Sequence, residues 1–85
     1  MIVMDDNLET MIYTVPEVAK ILHSSPNYVY ALIWKGYLPA IKLKSIKVLK
    51  VSLEKFLIEN QGMDFSDLDN VNQINTSYVR KLANG

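Results

Sequence analysis

The sequence predicts a mainly α-helical domain with one small β-hairpin: three short helices, a two-stranded wing and a possible extra helix at the C-terminal end. Three observations predict it. Two helix-start signals, Thr14-Val15-Pro16-Glu17 and Ser25-Pro26, follow one another closely, each with apolar residues at helical spacing behind it. Beyond Leu38-Pro39 the apolar period falls to two, with lysines at the alternate positions. The chain has 85 residues, 49% apolar and 21% charged, which is enough for one core and not for two.

The first helix is expected over 14–22. Thr14 and Glu17 make a capping box, in which each side chain accepts from the other residue's amide. Pro16 sits in the first turn, where amides have no helical partner. Val15, Val18, Ile21 and Leu22 supply the apolar stripe, and His23-Ser24-Ser25 interrupts it. Ser25-Pro26 then starts a second helix as N-cap and first-turn proline. Val29, Leu32 and Ile33 form its buried stripe, and Gly36 supplies a left-handed end. Two short helices separated by three residues read as a helix-turn-helix.

After Leu38-Pro39, Ile41 and Leu43 alternate with Lys42 and Lys44. Lys44-Ser45-Ile46 is read as a turn and 47–51 as the returning strand, giving a hairpin that carries Lys42, Lys44, Lys47 and Lys50. Ser52 is the expected N-cap of a third helix running to about Asn60, with Leu53, Phe56 and Leu57 facing inward. The winged helix-turn-helix so defined spans 13–60. An acidic segment, 1–12, precedes it, with Leu8 and Met11 spaced for one helical turn at most. An Asp- and Asn-rich linker is expected over 61–75. A short helix or tail is expected over 76–85, capped by Thr76 or Ser77, with Tyr78, Val79 and Leu82 on one stripe.

A net charge of zero hides a segregation. Asp5, Asp6 and Glu9 make residues 1–12 acidic, whereas residues 13–59 hold seven lysines against Glu17, Glu54 and Glu59, a net of +4. The remainder carries Asp64, Asp67 and Asp69 against Arg80 and Lys81. A local basic field attracts a polyanion even where the whole molecule is neutral. The absence of cysteine excludes a disulfide framework and a thiolate zinc site. The longest apolar run, Tyr28 to Trp34, falls far short of the ~18 residues that span a bilayer. The N-terminus also lacks the basic start and apolar stretch of a secretory signal. A cytoplasmic, nucleoid-associated protein without a membrane partner is expected.

In a winged helix-turn-helix the second helix enters the DNA major groove by its N-terminal end. With Val29, Leu32 and Ile33 inward, the opposite face offers Asn27, Tyr28, Ala31, Trp34 and Lys35 to double-stranded DNA. Asn27 suits the bidentate edge of adenine, Tyr28 a phosphate or a thymine methyl, and Lys35 a phosphate. Lys42, Lys44, Ser45, Lys47 and Lys50 on the hairpin would follow the backbone or the minor groove, giving affinity without reading sequence. Tyr30 is read as packing; Trp34 is open between a partner or DNA contact and cover by a terminal segment.

Residues 13–57 resemble the excisionase-type branch of the MerR-like winged helix-turn-helix domains. The resemblance rests on Thr14, Glu17, Val18-Ala19 and Leu22, then Ser25, Val29-Tyr30, Leu32-Ile33 and Gly36, then Leu38-Pro39-Ala40 and Lys42 leading into the wing. It implies non-catalytic binding of double-stranded DNA, as a recombination directionality factor beside an integrase or as a small phage or plasmid regulator. The chain departs from the family in five places. Ala31 and Trp34 stand where arginines are usual, Lys44 and His23 where glycine is usual, and Ile46 where a basic residue is usual. No arginine occurs in 13–59, so guanine readout is weak and A·T-rich sequence or shape is the expected target.

Other chemistries find little support. Ser24 and Ser25 have no paired base. Asp64, Asp67 and Asp69 lack the central glycine and terminal glutamate of an EF-hand loop, and His23 has no neighbouring ligand set. No catalytic residue, metal or cofactor is expected. Two function classes remain, DNA binding and a winged-helix scaffold turned protein-interaction module, with an acidic end folded over the basic face as a third arrangement. A homodimer or a cooperative array on DNA is an expected assembly, because one module reads few base pairs.

Overall fold

The capping box closes in the computed structural model, which describes residues 11–84. The Glu17 amide donates to Thr14 Oγ1 at 3.2 Å and the Thr14 amide to Glu17 Oε1 at 2.8 Å. They launch α1 (Val15–Ile21) out of a short strand, β1 (Ile12–Thr14). The helix ends where His23 turns left-handed at φ +53°. There the His23 amide donates to the Lys20 carbonyl and the Ser24 amide to that of Ala19, the two bonds of a Schellman end. Ser25 Oγ accepts from the Tyr28 amide at 3.2 Å and starts α2 (Pro26–Trp34). Gly36, at φ +86°, closes α2 with the same pair of bonds, from its own amide to Ile33 and from Tyr37 to Leu32.

The sheet is three-stranded rather than a bare hairpin. Its central strand is β3 (Ile46–Leu49), antiparallel to β2 (Ile41–Lys42) on one side and to β1 on the other. Tyr13 pairs with Val48 and Ile41 with Lys47. The turn covers 43–45, one residue earlier than expected, and the returning strand stops at Leu49 rather than at 51. Accordingly α3 (Lys50–Glu59) starts earlier too. Its N-cap is Leu49, with no side-chain cap bond, and Ser52 lies inside the first turn instead of capping it.

One core unites these elements. Val15, Val18 and Ala19 of α1 meet Val29 and Leu32 of α2, Leu38, Val48 of β3, and Leu53 and Phe56 of α3. Burial of such aliphatic side chains stabilises by about 1.5–3 kcal/mol each.

Where the sequence predicts a linker over 61–75, the chain turns back on the domain. Gly62, at φ +86°, leads into β4 (Met63–Asp64), which pairs with β5 (Asn72–Gln73). Between these strands Phe65 and Leu68 pack against the core. Phe65 sits edge-on to both Tyr37 and Phe56, with centroids 5.1 and 5.3 Å away. The expected C-terminal helix is present as α4 (Thr76–Asn84), with the Asn75 side chain accepting from the Ser77 and Tyr78 amides. The expected turn around Leu8, most of the acidic segment 1–12 and Gly85 lie outside the described residues. Among the described residues, no helix is long and apolar enough to cross a membrane.

Candidate nucleic-acid interface

The helical repeat decides what α2 shows to solvent. With Val29 and Leu32 buried and Ile33 partly so, the opposite side presents Asn27, Tyr30 and Trp34, with half-buried Ala31 at its edge. Trp34 is 85% exposed and Tyr30 48%. The packing read for Tyr30 is therefore corrected: its ring stands on the outward face, while Tyr28 is the one that packs. Tyr28 precedes Leu32 by one helical turn and so shares the edge of the buried stripe. Its hydroxyl donates to the Phe65 carbonyl at 2.6 Å, and burial, helped by the Asp64 carboxylate, raises its pKa above the ordinary phenol value.

Lys35 also meets the loop between β4 and β5. Its Nζ donates to Asp69 Oδ1, and that bond raises the lysine pKa above its usual range. Asp64 accepts from the Ser66 hydroxyl and amide, and Asp67 from the Asn70 side chain and the Asp69 amide. These bonds hold both carboxyls below the usual carboxylate range. An acidic loop thus flanks α2 along the Tyr28–Lys35 edge and leaves the Asn27–Tyr30–Trp34 face uncovered. The corresponding signal in the sequence was the pair of apolar residues, Phe65 and Leu68, within an otherwise polar stretch.

The lysines of the wing do not form one stripe. The register puts Lys47 on the sheet face of Ile41, away from the core, and Lys42 on the face of Ile46. Lys44 and Ser45 lie in the exposed turn, with Lys44 at φ +84°. Lys50 belongs to α3 and faces Glu54 at 3.9 Å. The expectation of four hairpin lysines on a single ribbon is corrected accordingly: three lie on the hairpin, on different sides of it. No group of three His, Asp or Glu side chains with metal-holding geometry occurs among the described residues.

A family model described as a helix-turn-helix domain matches residues 12–61, more than half the chain. The chain belongs to this helix-turn-helix family. It is a family of excisionase-like DNA-binding domains, so the resemblance carried by Thr14 through Lys42 holds. No curated protein and no solved structure matches closely enough to add a neighbour. The matched span of this helix-turn-helix protein covers the whole three-stranded sheet, α1, α2 and α3, and stops before β4. The acidic loop and α4 are therefore additions to the shared domain.

Proposed function

We propose that this protein binds double-stranded DNA as an excisionase-like recombination directionality factor or as a regulator of a phage or other mobile element. The observation that carries the reading is the outward face of α2, where Asn27, Tyr30 and Trp34 stand uncovered on the second helix of a helix-turn-helix. Asn27 reads adenine through its bidentate edge, and the two rings meet thymine methyls or sugar edges. Lys44 at the wing tip supports the same reading. A lysine in a left-handed conformation costs of order 1–2 kcal/mol, a cost that makes sense if its ammonium meets a phosphate.

Without an arginine in the module, A·T-rich sequence and groove shape are the proposed determinants. In the recombination role an integrase would be the protein partner, and two or more copies would act side by side. The place of action is then the cytoplasm, at the nucleoid.

The test is a fluorescence titration of A·T-rich and G·C-rich duplexes at low salt. Wild type should prefer the A·T-rich duplex. Trp34→Ala should erode that preference, and Lys44→Glu should weaken both duplexes about equally, by roughly tenfold. A second reading, a protein-interaction scaffold, is favoured by the exposed Trp34 and Tyr30 pair beside an acidic loop. It gains the field if wild type leaves every duplex unbound at low salt.

A further inference from the structure

Among the described residues, helix α4 has no packing partner. All its described side chains are exposed, with Tyr78 60% and Leu82 62% accessible, and none belongs to the core. A nine-residue helix is marginal in water and depends on burying its apolar face. Tyr78, Val79 and Leu82 make up that face, with Arg80 and Lys81 beside it.

A groove of matching character lies open on the same molecule. About 230 Å³ in volume, it runs between Leu22, Tyr28, Phe56, Leu57, Met63 and Phe65, with Leu57 41% exposed at its wall. Asp64 stands between two of the lining residues, close enough to act on the Tyr28 hydroxyl.

We propose that two copies of this chain associate by exchanging α4, each helix laying Tyr78, Val79 and Leu82 into the groove of the other. Charge selects this arrangement. α4 holds Arg80 and Lys81 and no acidic residue, so two α4 helices face to face would set like charges together, whereas Asp64 beside the groove complements it. Attachment supports it as well. Only Ile74 and Asn75 separate α4 from β5, the Ile74 amide donates to the Gly62 carbonyl at 2.8 Å, and the Asn75 cap fixes the first turn. In the single chain α4 stays out of the groove that the β4–β5 hairpin edges, with its described side chains exposed. A two-fold exchange fills both grooves with the same contact made twice. The inference stands whether or not the protein binds DNA.

Sedimentation velocity of the full-length chain across the micromolar range tests it. Wild type should pass from one to two copies as concentration rises. Leu82→Asp, on the donor helix, and Leu57→Asp, in the groove, should each weaken association at least about tenfold. Both positions are exposed, and circular dichroism checks that each variant stays folded. Mixing the two variants leaves one of the two helix–groove contacts intact, so association can recover at most in part. A wild type that stays single throughout, including one with α4 folded on its own groove, overturns the proposal. So does a Leu57→Asp or a Leu82→Asp variant that associates like wild type.

Discussion

His23 and Lys44 both hold a left-handed backbone without being glycine, at φ +53° and +84°. They are the two positions at which the family resemblance implied glycine, and the structure gives the reason. His23 is the residue past the end of α1 whose left-handed turn lets the two Schellman bonds form. Lys44 is the middle residue of the wing turn. Histidine tolerates this region better than lysine does. Replacement by glycine relieves the Cβ clash but adds freedom to the unfolded chain, so the two effects partly cancel. Lys44→Gly should therefore stabilise by about 0.5 kcal/mol, and His23→Gly by less. Urea midpoints decide this, and a loss of stability at either position would show that the side chain makes a compensating contact. The same Lys44→Gly variant should bind duplex more weakly, separating the fold's preference from the proposed function's.

At the scale of elements, the segments whose signals are local were the legible ones. α1 and α2 were readable because Thr14, Glu17, Ser25 and Gly36 mark their ends by side-chain or backbone chemistry within three residues. β1 was not, because three residues have no period of their own and are held only by pairing with the distant β3. The start of α3 was misplaced because Leu49 caps it with no side-chain oxygen. The exchange of roles between Tyr28 and Tyr30 was within reach of helical arithmetic, since Tyr28 stacks one turn before buried Leu32. The loop after β4 was hidden by its own composition, because Asp64 and Asp67 serve as turn-forming acceptors rather than solvated charges.

That loop has two consequences that can be measured. An exposed ion pair such as Lys35–Asp69 contributes little to stability, yet Asp69 stands beside the proposed DNA face and neutralises one of its lysines. Asp69→Asn should leave the unfolding midpoint nearly unchanged and tighten duplex binding about two- to fivefold at low salt. An unchanged affinity would place Lys35 outside the interface. The pH response follows from Asp64 and Asp67, whose carboxyls are held below the usual range by bonds to Ser66 and Asn70. A depressed folded pKa favours the folded loop above the ordinary carboxylate value of about 3.9 and withdraws that support as pH falls through the lowered values. Phe65 ring resonances should therefore shift toward unstructured positions below about pH 4, ahead of the Val48 methyls in the core. Concerted movement of both would mean that the loop has no separate titration.

At the scale of the whole molecule, the charge distribution decides how DNA binding must depend on salt. The basic surplus lies in 13–59, but its lysines are not equivalent. Lys50 and Lys55 face Glu54 and Glu59 along α3, and Lys35 is paired with Asp69. Lys42, Lys44 and Lys47 remain on the hairpin, and Lys35 joins them if Asp69 is displaced. Each phosphate neutralised contributes about −0.9 to the slope of log K against log salt, so one copy should give about −3 to −4. Two copies exchanged through α4 present two such footprints on one rigid body, and the slope should rise to about −6 to −7 on a duplex long enough for both. Leu82→Asp should return it to the single-copy value, whereas Asp69→Asn, which frees Lys35 for a further phosphate, should steepen the slope by up to about 0.9 per copy. A wild-type slope near zero would mean that the affinity is not electrostatic, and the wing lysines would lose their proposed role. A single-copy slope in a protein already shown to pair would mean that the exchanged assembly turns one of its two α2 faces away from the duplex.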